Sequence, residues 1–89
     1  DKSLQQIALI QRAQLIASSG KEEEALSLLQ HNKEAGSFTA VSLETQGDLL
    51  VSLDRQTEAK KIYDEAMGKY MLVGTNVDVL QIKRNDLGN

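Results

Sequence analysis

Apolar residues recur along the chain at spacings of three and four, which is the period of an amphipathic α-helix. Short stretches rich in glycine, serine and asparagine separate these periodic segments and are typical of turns. The pattern therefore predicts five helices. They cover about residues 2–17, 22–33, 38–53, 55–70 and 76–86. The expected breaks are Gly20, Gly36 with Ser37, Asp54 and Gly74.

An offset of 34 residues relates the first pair of helices to the second. The matched pairs are Leu9 and Leu43, Ala13 and Gly47, Ile16 and Leu50, Glu24 and Glu58, Ala25 and Ala59, and Leu29 and Tyr63. This period is typical of tetratricopeptide (TPR) repeats, in which neighbouring helical hairpins stack to bury the apolar face that each leaves open. We predict an all-α fold, a right-handed α-solenoid of two repeats over about 4–36 and 38–71, with a capping helix over about 76–87. The residues expected to pack the repeats together are Leu9, Ala13, Ala25, Leu29, Leu43, Gly47, Ala59, Tyr63 and Ala66.

Gly47 lies inside a predicted helix, where glycine costs roughly 1 kcal/mol relative to alanine. We expect a close approach of the partner helix to compensate for that cost.

The closing helix has a candidate start signal in the four residues 75–78. Thr75 and Asp78 have the spacing of a capping box, in which the hydroxyl and the carboxylate bond to free backbone amides. The helix is predicted to have Val77, Leu80 and Leu87 on one side, and largely Gln81, Lys83, Arg84 and Asp86 on its other faces. Such a half-repeat would cover the last apolar face of the stack.

The first helix is too apolar for an amphipathic helix with one solvent-exposed face, because residues 7–10 are all hydrophobic. We expect a preceding repeat or a second copy of the chain to cover this extra face. Two repeats are also fewer than the usual minimum of about three. The chain is therefore expected to be part of a longer protein, and self-association through the first helix is a prediction.

Composition argues against several classes of function. The net charge is −3 with no basic stripe, so nucleic acid and an anionic membrane surface are not expected partners. There is no cysteine to form a disulfide, ligate zinc or act as a nucleophile. No apolar run reaches the ~18 residues of a membrane span.

The candidate catalytic and metal-binding residues have simpler explanations. Residues 22–24 are three consecutive glutamates that point in different directions on a helix, and they suit the positive end of its dipole. His31 is expected to act as a favourable cation near a helix C-terminus. A hydrolase using Asp48 and Asp78 would need burial to separate their acidities, and an open groove does not supply it. We therefore predict a non-enzymatic protein with no metal and no cofactor.

The candidate binding surface is the concave one, which the first helix of each TPR repeat lines. The 34-residue offset assigns to it Gln14, Val41, Glu44, Asp48, Val51, Asp78 and Ile82. TPR domains that bind a C-terminal carboxylate use lysine and asparagine on this surface, whereas this chain has Gln14 and Asp48, so a carboxylate is not the expected ligand. An extended or helical protein segment with apolar anchors and basic residues fits better. The alternative is a groove that is only solvated or is filled by a part of the protein outside this chain.

Two stretches resemble a particular family. The first is residues 43–50 with 58–63, which carry Gly47-Asp48 in one helix and Ala59 with Tyr63 in the next. The second is the tail at residues 79–87, Val-Leu-Gln-Ile-Lys-Arg-Asn-Asp-Leu. Together they resemble the ancillary SecYEG translocon subunit (YfgM) family, although Arg84 and Asn85 depart from that family's leucine and aspartate.

The resemblance implies a bacterial inner-membrane protein, anchored by an upstream segment, with its TPR domain in the periplasm. Its partners would be the Sec translocon and a periplasmic chaperone or an exported polypeptide, and the fragment itself would make no direct membrane contact. The alternative is a cytosolic TPR scaffold that assembles an unrelated complex.

Overall fold

The computed structural model describes residues 2–32 and 38–88. Within these two ranges the chain forms five α-helices and no strands, so the predicted all-α class is confirmed. The helices are α1 (Lys2–Ser18), α2 (Glu22–His31), α3 (Thr39–Ser52), α4 (Gln56–Leu72) and α5 (Asp78–Asn85). The predicted end of the second helix at Lys33, and the predicted break at Gly36 and Ser37, lie outside the described residues.

Neighbouring helices along the chain pack against each other, and α1 also contacts α3. The Cα atoms span 36 × 32 × 17 Å, and the shortest dimension fits two layers of helices about 8–10 Å apart. This sequential packing is compatible with a helical-repeat solenoid. The core contains Ile10, Ala13, Ala25, Leu26, Leu29, Leu49, Leu50, Ala59, Tyr63, Ala66, Met67 and Leu80.

The end of the first helix in each hairpin is built in the same way at the 34-residue offset. Gly20 has a φ of +84° and Asp54 a φ of +59°. The next residue bonds back to the helix in both cases, from Lys21 N to Ile16 O at 3.3 Å and from Arg55 N to Leu50 O at 2.8 Å. A left-handed residue followed by this backbone bond is the Schellman way to end a helix.

The predicted capping box of α5 is wrong. Gly74 has a φ of +74°, and Thr75 N donates to Tyr70 O at 3.0 Å, so Thr75 belongs to the end of α4. The helix begins at Asp78, two residues later than predicted. The backbone N–H of Asp78 donates to Asn76 Oδ1 at 2.7 Å, which is the hydrogen bond of an Asx turn.

Gly47 lies directly against α4. A Cβ atom built on Gly47 would lie 2.3 Å from Tyr63 Cε1, well inside ordinary carbon contact. The predicted close approach is therefore present, and the ring of a fully buried tyrosine occupies the space that the glycine leaves.

The outer face of α1 is exposed. Leu4 keeps 65 % and Leu15 69 % of their surface, and Ala8 on the same face is also exposed. This is the apolar face that the sequence predicts to be covered, and self-association through it stays a prediction.

Candidate protein-binding surface

Five polar residues from three helices meet beside the end of the stack. Lys83 Nζ on α5 lies 2.9 Å from Glu44 Oε2 and 3.2 and 3.3 Å from the two carboxylate oxygens of Asp48, both on α3. From α4, the Tyr63 hydroxyl donates to Asp48 Oδ1 at 2.6 Å and the Tyr70 hydroxyl to Glu44 Oε1 at 2.7 Å. We call these five residues the α3–α5 polar cluster.

Helix geometry explains why the cluster forms. Glu44 and Asp48 are four residues apart and so lie on one face of α3. Tyr63 and Tyr70 are seven apart, two turns along one face of α4. Each ring can therefore pack beside α3 while its hydroxyl reaches a carboxylate, which orients both carboxylates towards α5.

The cluster shifts the acidities of its members. Burial alone would raise the pKa of Glu44, but hydrogen bonds from Lys83 and Tyr70 and the Lys83 charge together hold that pKa below its ordinary value. For Lys83 the effect of burial has the opposite sign and would lower the pKa. The hydrogen bond to Glu44 and the charge of Asp48 outweigh burial, so the pKa of Lys83 is raised. Burial, then the bonds to the carboxylates, raises the pKa values of Tyr63 and Tyr70. At neutral pH Glu44 is therefore a carboxylate, Lys83 is an ammonium, and the phenols of Tyr63 and Tyr70 are neutral.

The structure corrects the prediction that Lys83 and Arg84 lie on outer faces of α5. Lys83 turns to α3, and Arg84 Nε bonds to Asp64 Oδ1 on α4 at 3.1 Å. Spacing contained the signal, because both follow the buried Leu80 by three and four residues and so share its face. The hydroxyl bonds of Tyr63 and Tyr70 had no comparable signal in the sequence.

The other predicted groove residues lie as follows. Val41 and Val51 on α3 are half-buried against the core, whereas Gln14 on α1 and Asp78 on α5 are exposed. Ile82 on α5 keeps 60 % of its surface. In the described part of the chain, no hydrogen bond or ion pair joins Gln14 or Asp78 to the α3–α5 polar cluster. Their role in binding a partner stays a prediction.

A second charged group joins the two repeats. Arg55 Nη1 lies 2.8 Å from Glu23 Oε1 on α2, and its Nε bonds to Glu58 on α4. The hydrogen bond from Arg55 outweighs desolvation and lowers the pKa of Glu58. Glu23 and Glu58 are exposed and Arg55 is half-buried, so the group connects neighbouring turns without fully burying a charge.

The candidate chemical residues do not assemble. His31 lies in the last turn of α2, and its Nδ1 is 2.8 Å from Ser27 O. Among residues 2–32 and 38–88, no three histidine or acidic side chains are placed to hold a metal ion together. Over the same residues, no helix has the length and apolar character needed to cross a membrane.

The repeat spacing, the hairpin ends and the sequential packing define the class of fold, and comparison with protein families agrees with them. A sequence model of the family described as a tetratricopeptide repeat-like domain matches residues 1–89. The chain therefore belongs to that family. Neither the curated proteins nor the solved structures contain a significant match. TPR-type domains are generally non-catalytic modules that bind other proteins. The surface around the α3–α5 polar cluster is therefore a candidate protein-binding surface.

Proposed function

We propose that this protein is a non-enzymatic ancillary subunit of the Sec translocon, acting on the periplasmic side of the bacterial inner membrane. Its TPR domain would dock a chaperone or help newly exported polypeptides. The family match over the whole chain supports a protein-binding role. The resemblance of residues 79–87 and of the Gly47-Asp48 stretch to the YfgM family supports the more specific assignment.

The face that α3 presents carries this proposal. Val41 and Val51 lie on either side of Glu44 and Asp48 along α3, and Ile82 is exposed on α5, next to Lys83 in the sequence. Half-buried valines and an exposed isoleucine offer apolar contact. The carboxylates, which Lys83 pairs with in this structure, offer acceptors to a basic side chain that replaces it. A polypeptide segment with apolar anchors and lysine or arginine therefore fits this face better than an acidic one.

Site-specific photocrosslinking in bacterial cells tests the proposal. The crosslinking residue is placed at Val41 or Val51 in the full-length protein, with Lys61 as the matched position because it is exposed on α4. We expect adducts with translocon subunits or a periplasmic chaperone from the α3 positions, and few from Lys61. Recovery of cytosolic proteins alone would reject the assignment and favour a cytosolic scaffold.

A further inference from the structure

α5 packs mainly on α4, and Val77 and Leu87 at its two ends are half-buried against the core. It has eight residues, and Leu80 is the one buried among them, at 4 % exposure. Lys83 adds two ion pairs to α3 and Arg84 adds one to α4, and all three pairs remain partly in solvent. Elements with so little buried apolar surface are the ones that open first in native proteins.

The surface that α5 covers is complementary to a helix with one particular spacing of an apolar and a basic residue. Leu80 is buried where α5 packs on α4, and the ammonium group of Lys83, three residues later, bonds to the carboxylates of α3. The hydroxyls of Tyr63 and Tyr70 orient those carboxylates independently of α5. Without α5, the two phenol bonds to the carboxylates would remain and the Lys83 ammonium would be lost. The exposed surface is then acidic, apolar and already shaped.

We infer that α5 is a detachable latch over a helix-binding seat. The seat is formed by Glu44, Asp48, Tyr63 and Tyr70 with the apolar surface that Leu80 covers. Its partner is an amphipathic helix that carries a leucine followed three residues later by a lysine, the pattern of Leu80 and Lys83. α5 competes with that partner, so binding in the closed chain is weakened by the fraction of time that the seat is covered. This inference rests on the proposed function, because it names the partner chemistry for the same surface.

The test uses the whole chain and a labelled peptide of residues 77–88 as the probe. Leu80→Asp with Lys83→Gln in the protein opens the latch and leaves the seat unchanged. Fluorescence anisotropy should show the opened protein binding the peptide at least about tenfold more tightly than the original chain, because the competing helix is gone. Added salt should weaken this binding, since the Lys83 contact is partly exposed.

Two controls assign the binding to the seat. The first control is a peptide with Lys83→Gln, and the second is an opened protein that also carries Glu44→Gln and Asp48→Asn. In each case most of the increase in affinity for the peptide should be lost. Circular dichroism of the opened protein checks that α1 to α4 remain helical. If the double change unfolds the chain, Lys83→Gln alone is the milder opening variant and should give a smaller gain in the same direction.

Three results would overturn the inference. One is equal affinity of the closed and opened proteins for the peptide. Another is no binding to the opened protein up to about 1 mM peptide, the range of very weak association. The third is dimerisation of the opened protein without uptake of peptide, which would make a second copy the occupant. Because only purified chain and peptide are used, failure here is distinct from failure of the crosslinking experiment.

Discussion

Replacing Gly47 with alanine adds a methyl group between α3 and α4. The new Cβ would lie 2.3 and 2.5 Å from two carbons of the Tyr63 ring, where optimal carbon contacts are about 3.5–4 Å. The ring is only 2 % exposed, and its hydroxyl is bonded to Asp48. It therefore cannot move away without disturbing the core or that bond.

Opposing effects set the size of the change. Alanine in place of a helical glycine gains about 1 kcal/mol. Overpacking costs about 1–3 kcal/mol, and loss of a hydrogen bond to a charged group costs about 1.5–3 kcal/mol. The two costs together, less that gain, predict that Gly47→Ala lowers the free energy of unfolding by about 1.5–5 kcal/mol. The corresponding fall in Tm is about 4–8 °C for each kcal/mol in a domain of this size.

Gly68→Ala is the matched control, because Gly68 is also inside a helix and its added methyl group meets no atom within 4 Å. This change should raise the free energy of unfolding by about 0.5–1 kcal/mol. Urea unfolding followed by circular dichroism measures both variants. A Gly47→Ala protein as stable as the original chain would refute the packing argument, particularly if Gly68→Ala behaved as expected.

The first repeat suggests a rescue of the same variant. It carries Ala13 and Leu29 where the second repeat carries Gly47 and Tyr63, and both are fully buried. In a Tyr63→Leu background, the added methyl group no longer meets a ring. The cost of Gly47→Ala should therefore be smaller there, by about 1 kcal/mol or more. Equal costs in the two backgrounds would show that the clash is not with Tyr63.

Two further predictions concern charge and assembly. Because the pKa of Glu44 is lower in the folded chain, its contribution to stability is present above its ordinary pKa of 4.5 and is lost as the pH falls through the folded value. Glu44→Gln should therefore flatten the loss of stability that urea unfolding measures as the pH falls below 4.5. Near neutral pH the same change should lower the free energy of unfolding by about 1 kcal/mol. An unchanged acid slope would contradict the role of Lys83 in setting that pKa. Leu4→Glu with Leu15→Glu should abolish concentration-dependent association in sedimentation, because both side chains lie on the exposed face of α1. A monomeric original chain at high concentration would remove that prediction.

The sequence predicts this fold well where a local rule repeats. The offset of 34 residues identifies equivalent small and large core residues, and Gly20 and Asp54 are the equivalent left-handed residues that end α1 and α3. The sequence is a poorer guide at α5, because Thr75 could either cap the start of α5 or complete the end of α4. Its backbone completes the end of α4, which prevents it from capping the next helix.

The candidate surface is harder to predict because its charges come from helices far apart in sequence. Periodicity places Glu44 and Asp48 on one face of α3, which gives an acidic groove. It does not say that Lys83, 35 residues beyond Asp48, neutralises them. Pairing across helices depends on how α5 packs on the stack, and the periodic pattern alone does not fix that packing.

Hydrogen exchange of a purified complex with the partner captured by crosslinking tests the central claim most directly. The account predicts slower amide exchange along α3 from Val41 to Val51, with a changed rate in α5, and little change on the exposed faces of α2 and α4. Protection concentrated on α2 and α4, with α3 unaffected, would contradict the assignment of the binding surface.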